Sequence, residues 1–185
     1  MSEIRIATRY AKSLLELAEE KGVLEEVHDD MVLFGEVCED NRNFLLMLQN
    51  PIINHDKKLS ILQSLFSKRF HELTLAIFEL ITNKNREAVL PAIARQFHVQ
   101  YNIHKGIESA KVITTFPLTK ELRKSFEDVV ASMTGKKVEL IEEVSNDIVG
   151  GFILKIGDRQ IDESISGKLK ELKLKFSHNP YLKEF

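Results

Sequence analysis

The residues whose types and spacing could carry chemistry lie together in the segment Asp147–Ser164, which reads DIVGGFILKIGDRQIDES. Gly150 and Gly151 stand before the apolar run Phe152–Ile156. A glycine-rich turn can cradle a phosphate, but a P-loop also needs a Lys-Ser/Thr pair with a helix after it, and a dinucleotide site needs three spaced glycines between a strand and a helix. Neither pattern is present, so the two glycines are predicted to bend the chain and to let two backbone segments approach closely.

A group of carboxylates follows the same apolar run. Asp158 comes directly after Gly157, and Asp162 lies shortly before the last predicted helix. Two such carboxylates can act as a general acid and base, which would make the chain a hydrolase or a phosphate-handling enzyme. Alternatively, Gly157-Asp158 forms the two-residue turn of a β-hairpin, and Asp162 lies near the positive end of a helix. Charged residues are commoner at exposed turns, which favours the structural interpretation.

Other patterns of metal-binding and catalytic residues are missing from the sequence. The single cysteine, Cys38, lies on the apolar face of a predicted helix and is expected to be a small buried hydrophobe. No two histidines have the i, i+4 spacing of a helical zinc site. All six histidines are expected at the surface: His28, His55, His71, His98, His104 and His178. We therefore expect neither a metal nor a cofactor.

The composition limits the possible partners. The 185 residues include 26 Lys and Arg against 28 Asp and Glu, for a net charge of -2, so the chain lacks the basic excess of a nucleic-acid binder. No run approaches the ~18 apolar residues of a membrane-spanning helix, and the N-terminus lacks the apolar core of a signal peptide. We expect a cytoplasmic protein that does not insert into a membrane and is attached to one only through a partner.

The distribution of glycine divides the chain near residue 105, because six of the eight glycines lie beyond that position. Helical periodicity dominates before it, and strand-like alternation appears after it. We predict a mostly α-helical fold, with an N-terminal six-helix bundle over residues 1–105. A small α/β domain with a short mixed sheet is predicted over residues 106–185.

Hydrophobic periodicity places the elements within these halves. The predicted helices of the first half cover about Ile4–Lys21, Val23–Glu39, Asn43–Gln49, a stretch after Asn54 and Glu72–Thr82. The stretch after Asn54 is expected to bury Leu59, Leu62, Leu65 and Phe66. A sixth helix has Pro91 in its first turn, or is kinked by Pro91 if it starts nearer Arg86. The predicted strands are Ala110–Phe116, Val138–Val144, Phe152–Ile156 and Arg159–Ile161. A helix capped by Thr119 presents Leu122, Phe126, Val129 and Met133, and a last helix capped by Ser164 or Ser166 presents Ile165, Leu169, Leu172 and Phe176.

Two predicted helices carry more apolar surface than a single core-facing stripe needs. The first helix is apolar over more than one face, and the fifth, around Leu73–Ile81, is apolar almost all round. Both helices could lie at the centre of the bundle. Alternatively, they could together line a groove for an amphipathic helix of a partner. The sequence supports the two interpretations about equally.

Short motifs spread over the whole chain resemble the delta-subunit family of bacterial F-type ATP synthase, which is related to the mitochondrial oligomycin-sensitivity-conferring protein. The first motifs are Arg9-Tyr10-Ala11-Lys12-Ser13-Leu14 with Leu17-Ala18, Pro51 with Lys58 and Leu62, and Asn85-Arg86 with Leu90-Pro91, Ile93 and Phe97. The most specific are Gly150-Gly151-Phe152, Ile156-Gly157-Asp158, Ile161-Asp162 and Ser164. Each motif is short, but their order and spacing from about Ile4 to Phe176 support the resemblance.

The resemblance implies a non-catalytic stator subunit at the cytoplasmic face of the bacterial membrane, with no catalytic residue. In this family the N-terminal bundle binds the N-terminal helix of an alpha subunit in a groove between the first and fifth helices. The C-terminal part engages the C-terminal ends of the b subunits. The resemblance and the apolar surplus together suggest these groove residues: Ala7, Tyr10, Ala11, Leu14, Ala18, Leu75, Phe78 and Ile81.

Overall fold

The computed structural model describes residues 3–177, and the chain divides into two compact units, Met1–His104 and Lys105–Phe185. The described residues form a mostly helical chain with eight α-helices and one four-stranded mixed sheet. The predicted mostly helical fold with a small mixed sheet is therefore confirmed. His178 and the tail from Pro180 onward lie outside the described residues.

The first unit consists of helices joined by short loops. Its helices are α1 (Glu3–Glu20), α2 (Leu24–Asp40), α3 (Arg42–Gln49), α4 (His55–Phe66), α5 (Glu72–Asn83) and α6 (Leu90–Lys105), with a short 3-10 helix at Glu87–Val89 before α6. Ala7, Ala11 and Ala18 on α1 are fully buried, and their small side chains allow neighbouring helices to pack closely. Beyond them, Phe34 and Phe78 pack edge to face with ring centroids 4.7 Å apart.

Helix α4 buries a different set of residues from the one predicted. Leu62 and Phe66 are buried and Leu59 is half-buried, but the prediction was wrong for Leu65, which is 51% exposed. Lys58 instead takes a core position and is 1% exposed. Lys58, Leu62 and Phe66 follow one another at i, i+4 spacing, so they form a single row along the buried side of the helix.

The second unit is built on a sheet with strand order β2-β1-β3-β4. Its elements are β1 (Ile107–Thr114), α7 (Lys120–Thr134), β2 (Lys137–Val144), β3 (Phe152–Ile156), β4 (Arg159–Asp162) and α8 (Ile165–Ser177). Strand β1 pairs in parallel with β2 and antiparallel with β3, so α7 is the crossover between two adjacent parallel strands. The hydroxyl of Thr119 accepts a hydrogen bond from the Leu122 backbone N–H and caps α7 as predicted.

Helix α7 meets the sheet through a narrower face than predicted. Val130 is fully buried, and the ring of Phe126 packs edge to face against the ring of Phe152 at the start of β3, with centroids 4.9 Å apart. The rest of the predicted stripe is exposed, with 39% for Leu122, 47% for Val129 and 48% for Met133. Phe126 and Val130, one turn apart, cover the strands, whereas Val129 and Met133, each three residues further along, turn toward solvent. Leu122 lies in the row of Phe126 and Val130 but in the first turn of the helix, where it stays exposed.

The glycines of the late segment serve a turn and a close backbone approach. Gly151 has a φ of +82°, and a Cβ atom at this position would lie 2.3 Å from the carbonyl oxygen of Glu163. Gly157 and Asp158 form the turn that connects β3 to β4, and the flanking residues Ile156 and Arg159 pair across the hairpin. Only glycine can adopt the Gly151 conformation without strain and without this clash.

Candidate functional site

The structure places most of the groove residues predicted on α1 and α5 in the core of the first unit. The exposed fraction is 2% or less for Ala7, Ala11, Leu14, Ala18, Phe78 and Ile81. Tyr10 and Leu75 are half-buried. Of the eight predicted groove residues, only Tyr10 and Leu75 therefore keep accessible surface, and the other six belong to the core.

Hydrogen bonds define the two sides of α1. On one side, the Gln100 amide of α6 donates to the carbonyl oxygen of Thr8 over 3.0 Å. On the other side, the Arg86 guanidinium, just beyond the end of α5, donates to the hydroxyl of Tyr10 over 3.2 Å. The side of α1 that carries Tyr10 therefore faces the end of α5, and the side that carries Thr8 faces α6.

A second apolar row, which we call the outward stripe, runs along the Tyr10 side of α1. It consists of Ile6, Tyr10 and Leu17, with Ser13 between them. Their spacing of four and then seven residues places them on one helix face. Ile6 and Tyr10 are half-buried, and Leu17 is 39% exposed. The signal for these residues was present in the sequence, as apolar positions in excess of the alanine row.

Helix α5 is fixed at its start by a buried carboxylate from α2. Asp30 accepts hydrogen bonds from the His71 backbone N–H over 2.8 Å and from the Thr74 hydroxyl over 2.7 Å. Burial raises the pKa of Asp30, and the two hydrogen bonds only partly oppose this shift. These two hydrogen bonds tie the start of α5 to α2. Further along α5, Leu80 is 42% exposed.

A buried ion pair holds the connection that follows α5. The Lys58 ammonium donates to the carboxylate of Glu87 over 2.5 Å and to the carbonyl oxygen of Leu48 over 2.9 Å. The side chains of Lys58 and Glu87 are 2% and 11% exposed. Three segments meet at this lysine: the end of α3, the first turns of α4 and the 3-10 helix. The pair therefore positions the segment that places Arg86 beside Tyr10.

The carboxylates of the second unit have the environment of a helix start. An Asp162 oxygen accepts a hydrogen bond from the Ser164 backbone N–H over 2.9 Å, and hydrogen bonds from Ser164 hold the pKa of Asp162 below its usual value. The Ser164 hydroxyl in turn accepts from the Gly167 N–H over 3.0 Å and caps α8. Asp158 is exposed in the hairpin turn. A general acid at neutral pH needs a raised pKa, so Asp162 does not suit the hydrolase hypothesis.

The remaining reactive side chains are held inside the first unit. Cys38 is 3% exposed, and burial raises the pKa of its thiol to about 12, so it is not an activated nucleophile. Of the described histidines, His104 is exposed as expected, whereas His28, His55, His71 and His98 are half-buried. His28 and His98 are half-buried between α2 and α6, with His28 Nε2 and His98 Nδ1 3.0 Å apart in a hydrogen bond. The ring of His28 also stacks on Tyr101, with centroids 3.7 Å apart.

Helix α8 presents its apolar stripe to solvent. Among residues 165–176 of α8 none is buried, and the exposed fraction is 48% for Ile165, 61% for Leu169, 47% for Leu172 and 84% for Phe176. The buried core of the second unit is formed by the sheet and α7. The stripe, for which the sequence suggested either the core or a partner, is therefore not part of that core.

These observations define the class of protein. Among residues 3–177 no helix has the length and apolar content needed to cross a membrane, and no three His, Cys, Asp or Glu side chains there are arranged to hold a metal ion. Rows of exposed or half-buried apolar residues run along α1 and α8, and the carboxylates of the late segment serve a turn and a helix cap. The described part of the chain thus has the features of a subunit that binds other proteins.

Comparison with known proteins agrees with this class. The model of the ATP synthase delta (OSCP) subunit family matches residues 6–176. ATP synthase subunit delta of Cytophaga hutchinsonii is 44% identical over 177 residues, which cover 96% of this chain and 97% of the relative. The subunit delta of Amoebophilus asiaticus is 41% identical over 181 residues, covering 97% of this chain and 98% of the relative. The chain belongs to the ATP synthase delta (OSCP) subunit family, and it is a non-catalytic subunit of that complex.

A solved structure shares the fold. A chain in the cryo-EM structure of the Toxoplasma gondii mitochondrial ATP synthase hexamer superimposes with a TM-score of 0.74 at 23% identity. The superposition covers 94% of this chain and 98% of that chain. Neither this structure nor the relatives lend support to a hydrolase centred on Asp158 and Asp162.

Proposed function

We propose that the first unit binds the N-terminal helix of the ATP synthase alpha subunit between α1 and α5, and that the second unit binds the C-terminal ends of the b subunits. In this proposal α1–α6 act as one six-helix bundle on the catalytic head. The chain links the head to the peripheral stalk and resists rotation. The observation that carries the proposal is the outward stripe of α1, which lies beside the end of α5 in a chain of this family.

A helix-in-groove contact accounts for strong binding by few residues. An amphipathic helix buries side chains at i, i+3, i+4 and i+7 spacing, and the outward stripe offers the matching apolar row. Full burial of a leucine or aromatic side chain contributes roughly 1.5–3 kcal/mol. Ile6 and Tyr10 are already half-buried and Leu17 is 39% exposed, so a docked helix gains about half of that or less from each, which is part of the roughly 8 kcal/mol that micromolar binding needs. On α5, the half-buried Leu75 is the residue that contributes to the second wall in this arrangement.

The head contact is tested by calorimetric titration of the full chain with a synthetic peptide of the alpha-subunit N-terminus from the same organism. Leu17→Ala should weaken binding by about 10-fold or more, because it removes a side chain that the partner covers. Leu46→Ala on α3 is the matched control, since Leu46 is 51% exposed and lies outside the stripe. Equal affinities for the two variants, or no binding by the unmodified chain at micromolar concentration, would contradict the proposal.

Helix α8 is the proposed surface for the stalk. Its stripe is flanked by four lysines, Lys168, Lys170, Lys173 and Lys175, against the single acid Glu171. A basic amphipathic surface favours an acidic amphipathic segment by electrostatic complementarity. We therefore expect the b-subunit segment that binds here to combine apolar residues with acidic ones.

Charge introduction on the stripe tests the stalk contact. The double variant Leu169→Glu/Leu172→Glu should lose binding to a C-terminal b-subunit fragment in size-exclusion chromatography, because two carboxylates would be desolvated in the contact. Leu122→Glu on α7 is the control, since this residue of the same unit is 39% exposed and lies on another helix. Retained binding of the double variant would exclude α8 as the docking surface. The same variant should still bind the alpha-subunit peptide.

The proposal places the chain at the cytoplasmic face of the bacterial membrane, where it is held through the complex. Membranes prepared from cells without the b subunit should therefore release the chain into the supernatant. A chain that stays with such membranes would indicate a direct membrane contact instead.

A further inference from the structure

An open cavity of about 400 Å³, which we call the arginine cavity, lies on the Tyr10 side of α1. Its lining consists of Ile6, Arg9, Tyr10, Ser13 and Arg86. Four of these residues come from the first turns of α1, and Arg86 comes from the connection after α5. The cavity therefore adjoins the outward stripe and shares two of its residues, Ile6 and Tyr10.

The cavity contains two positive charges that no acid of the described chain neutralises. Within residues 3–177 neither Arg9 nor Arg86 forms an ion pair with a carboxylate. Other exposed basic side chains do have such partners, for example Lys12 with Glu16 at 3.7 Å. A guanidinium remains charged at any physiological pH, so the cavity keeps both charges.

The polar groups of the cavity are mainly hydrogen-bond donors. Arg86 uses one N–H on the Tyr10 hydroxyl, and its remaining N–H groups are available. Because the Tyr10 oxygen accepts this bond, its own proton is free to be donated elsewhere. The Ser13 hydroxyl can also donate, and Ile6 supplies an apolar wall. An occupant that fits must carry an anionic acceptor next to an apolar group.

We propose that the arginine cavity binds a carboxylate side chain of the helix that docks on α1, so that Arg9 and Arg86 anchor one end of that helix. This inference rests on the proposed head contact, because the cavity continues the outward stripe. A free phosphate is the less suitable ligand, since both arginines are exposed and an exposed charge pair gains little in water. A docked helix covers the arginines and strengthens the same pairing by excluding solvent.

The pairing of a partner carboxylate with Arg9 and Arg86 would set the direction in which the partner helix docks and would make its affinity depend on salt. An apolar row alone would allow the partner helix to dock in either direction, because hydrophobic contacts are not directional. One carboxylate at the Arg9 end fixes the direction and register of that helix. It also makes the affinity fall as salt rises, because the rim of the contact remains accessible to ions.

The test measures calorimetric affinities of the full chain for the alpha-subunit peptide and for peptides in which each Asp or Glu is replaced in turn by Asn or Gln. The double variant Arg9→Gln/Arg86→Gln should bind about 10-fold more weakly or worse, because it loses charged hydrogen bonds. Its affinity should also depend less on salt. Arg42→Gln is the matched control, since it removes one exposed positive charge of the same unit on α3, outside the cavity. The charge-retaining variant Arg9→Lys/Arg86→Lys should keep intermediate affinity, because lysine lacks the planar fork of donors.

A double-mutant cycle identifies the anchor. One of the Asn- or Gln-substituted peptides should bind the unmodified chain as weakly as the unmodified peptide binds the arginine variant. When that peptide is combined with the arginine variant, the affinity should fall little further. Equal binding of the peptide by the unmodified chain and the arginine variant overturns the inference and leaves the head contact intact. No peptide binding by the unmodified chain overturns the head contact itself. Sub-millimolar binding of inorganic phosphate that requires Arg9 and Arg86 overturns the carboxylate assignment.

Discussion

The substitution Lys58→Met should destabilise the first unit strongly. It removes the ammonium that the Glu87 carboxylate contacts at 2.5 Å and leaves that carboxylate only 11% exposed. The second Glu87 oxygen is buried without a hydrogen-bond partner in the described chain, so the carboxylate has little other compensation. Breaking a buried pair by removing one partner costs about 3–5 kcal/mol. We expect a loss in that range, because methionine fills the lysine volume and adds only a small cavity cost.

The loss is measured by urea unfolding followed through tyrosine fluorescence. The chain has no tryptophan and three tyrosines, of which Tyr10 and Tyr101 lie in the first unit. A Tyr181→Phe background removes the third. With a slope of about 1–3 kcal/mol per molar urea, the midpoint should fall by about 1 M or more.

A neighbouring lysine provides the control for this prediction. Lys57 lies on the same helix but is exposed, so Lys57→Met should change the free energy of unfolding by about 0.5 kcal/mol or less. The double variant Lys58→Met/Glu87→Leu should recover much of the loss, because it removes both charges together. If Lys58→Met costs no more than Lys57→Met, or if the double variant is as unstable as the sum of its parts, the assignment of a coupled buried pair is wrong.

Three further predictions concern the late segment and the histidines. Gly151→Ala should destabilise the second unit by more than about 2 kcal/mol, because of the φ of +82° and the clash of the new Cβ at 2.3 Å. Urea unfolding followed by circular dichroism measures this loss. Gly35→Ala in α2 is the control: a Cβ there meets nothing within 4 Å, so this variant should be neutral or mildly stabilising. Since hydrogen bonds lower the folded-state pKa of Asp162, its stabilising contribution is present at neutral pH and is lost as the pH falls below about 4. Asp162→Asn should therefore reduce the acid sensitivity of the second unit, and an unchanged pH profile would refute this. His98→Ala should destabilise the first unit by about 1 kcal/mol in urea unfolding followed by tyrosine fluorescence, because it removes the 3.0 Å hydrogen bond with His28.

The turn chemistry was predictable because it depends on local conformation. Gly157-Asp158 between two predicted strands indicated the hairpin, and Thr119 indicated the start of α7, since a hydroxyl there can accept from an N–H of the first turn. The double glycine predicted a close backbone approach without revealing its partner. The structure identifies that partner as the carbonyl oxygen of Glu163, at 2.3 Å from the position of a Cβ on Gly151.

The choice of helix faces was less predictable. The excess of apolar residues on α1 showed that more than one face mattered, but periodicity could not separate the buried Ala7 and Ala11 from the half-buried Tyr10. The same limit explains α7, where Val130 is buried and the adjacent Val129 is 47% exposed. Neighbouring apolar residues on a helix have similar transfer free energies, so only the position of the facing element decides which one is buried.

The sequence by itself determined the order of helices and strands, the turns that join them and, through its motifs, the family. These features depend on short-range conformational preference and on hydrophobic periodicity, which a few neighbouring residues specify. Only the tertiary structure decided that Lys58 is buried against Glu87, that His28 meets His98 and that Arg86 lies beside Tyr10. Each of these contacts joins residues at least 29 positions apart, and the energy of a polar contact depends on a partner and on a degree of burial that no local pattern contains.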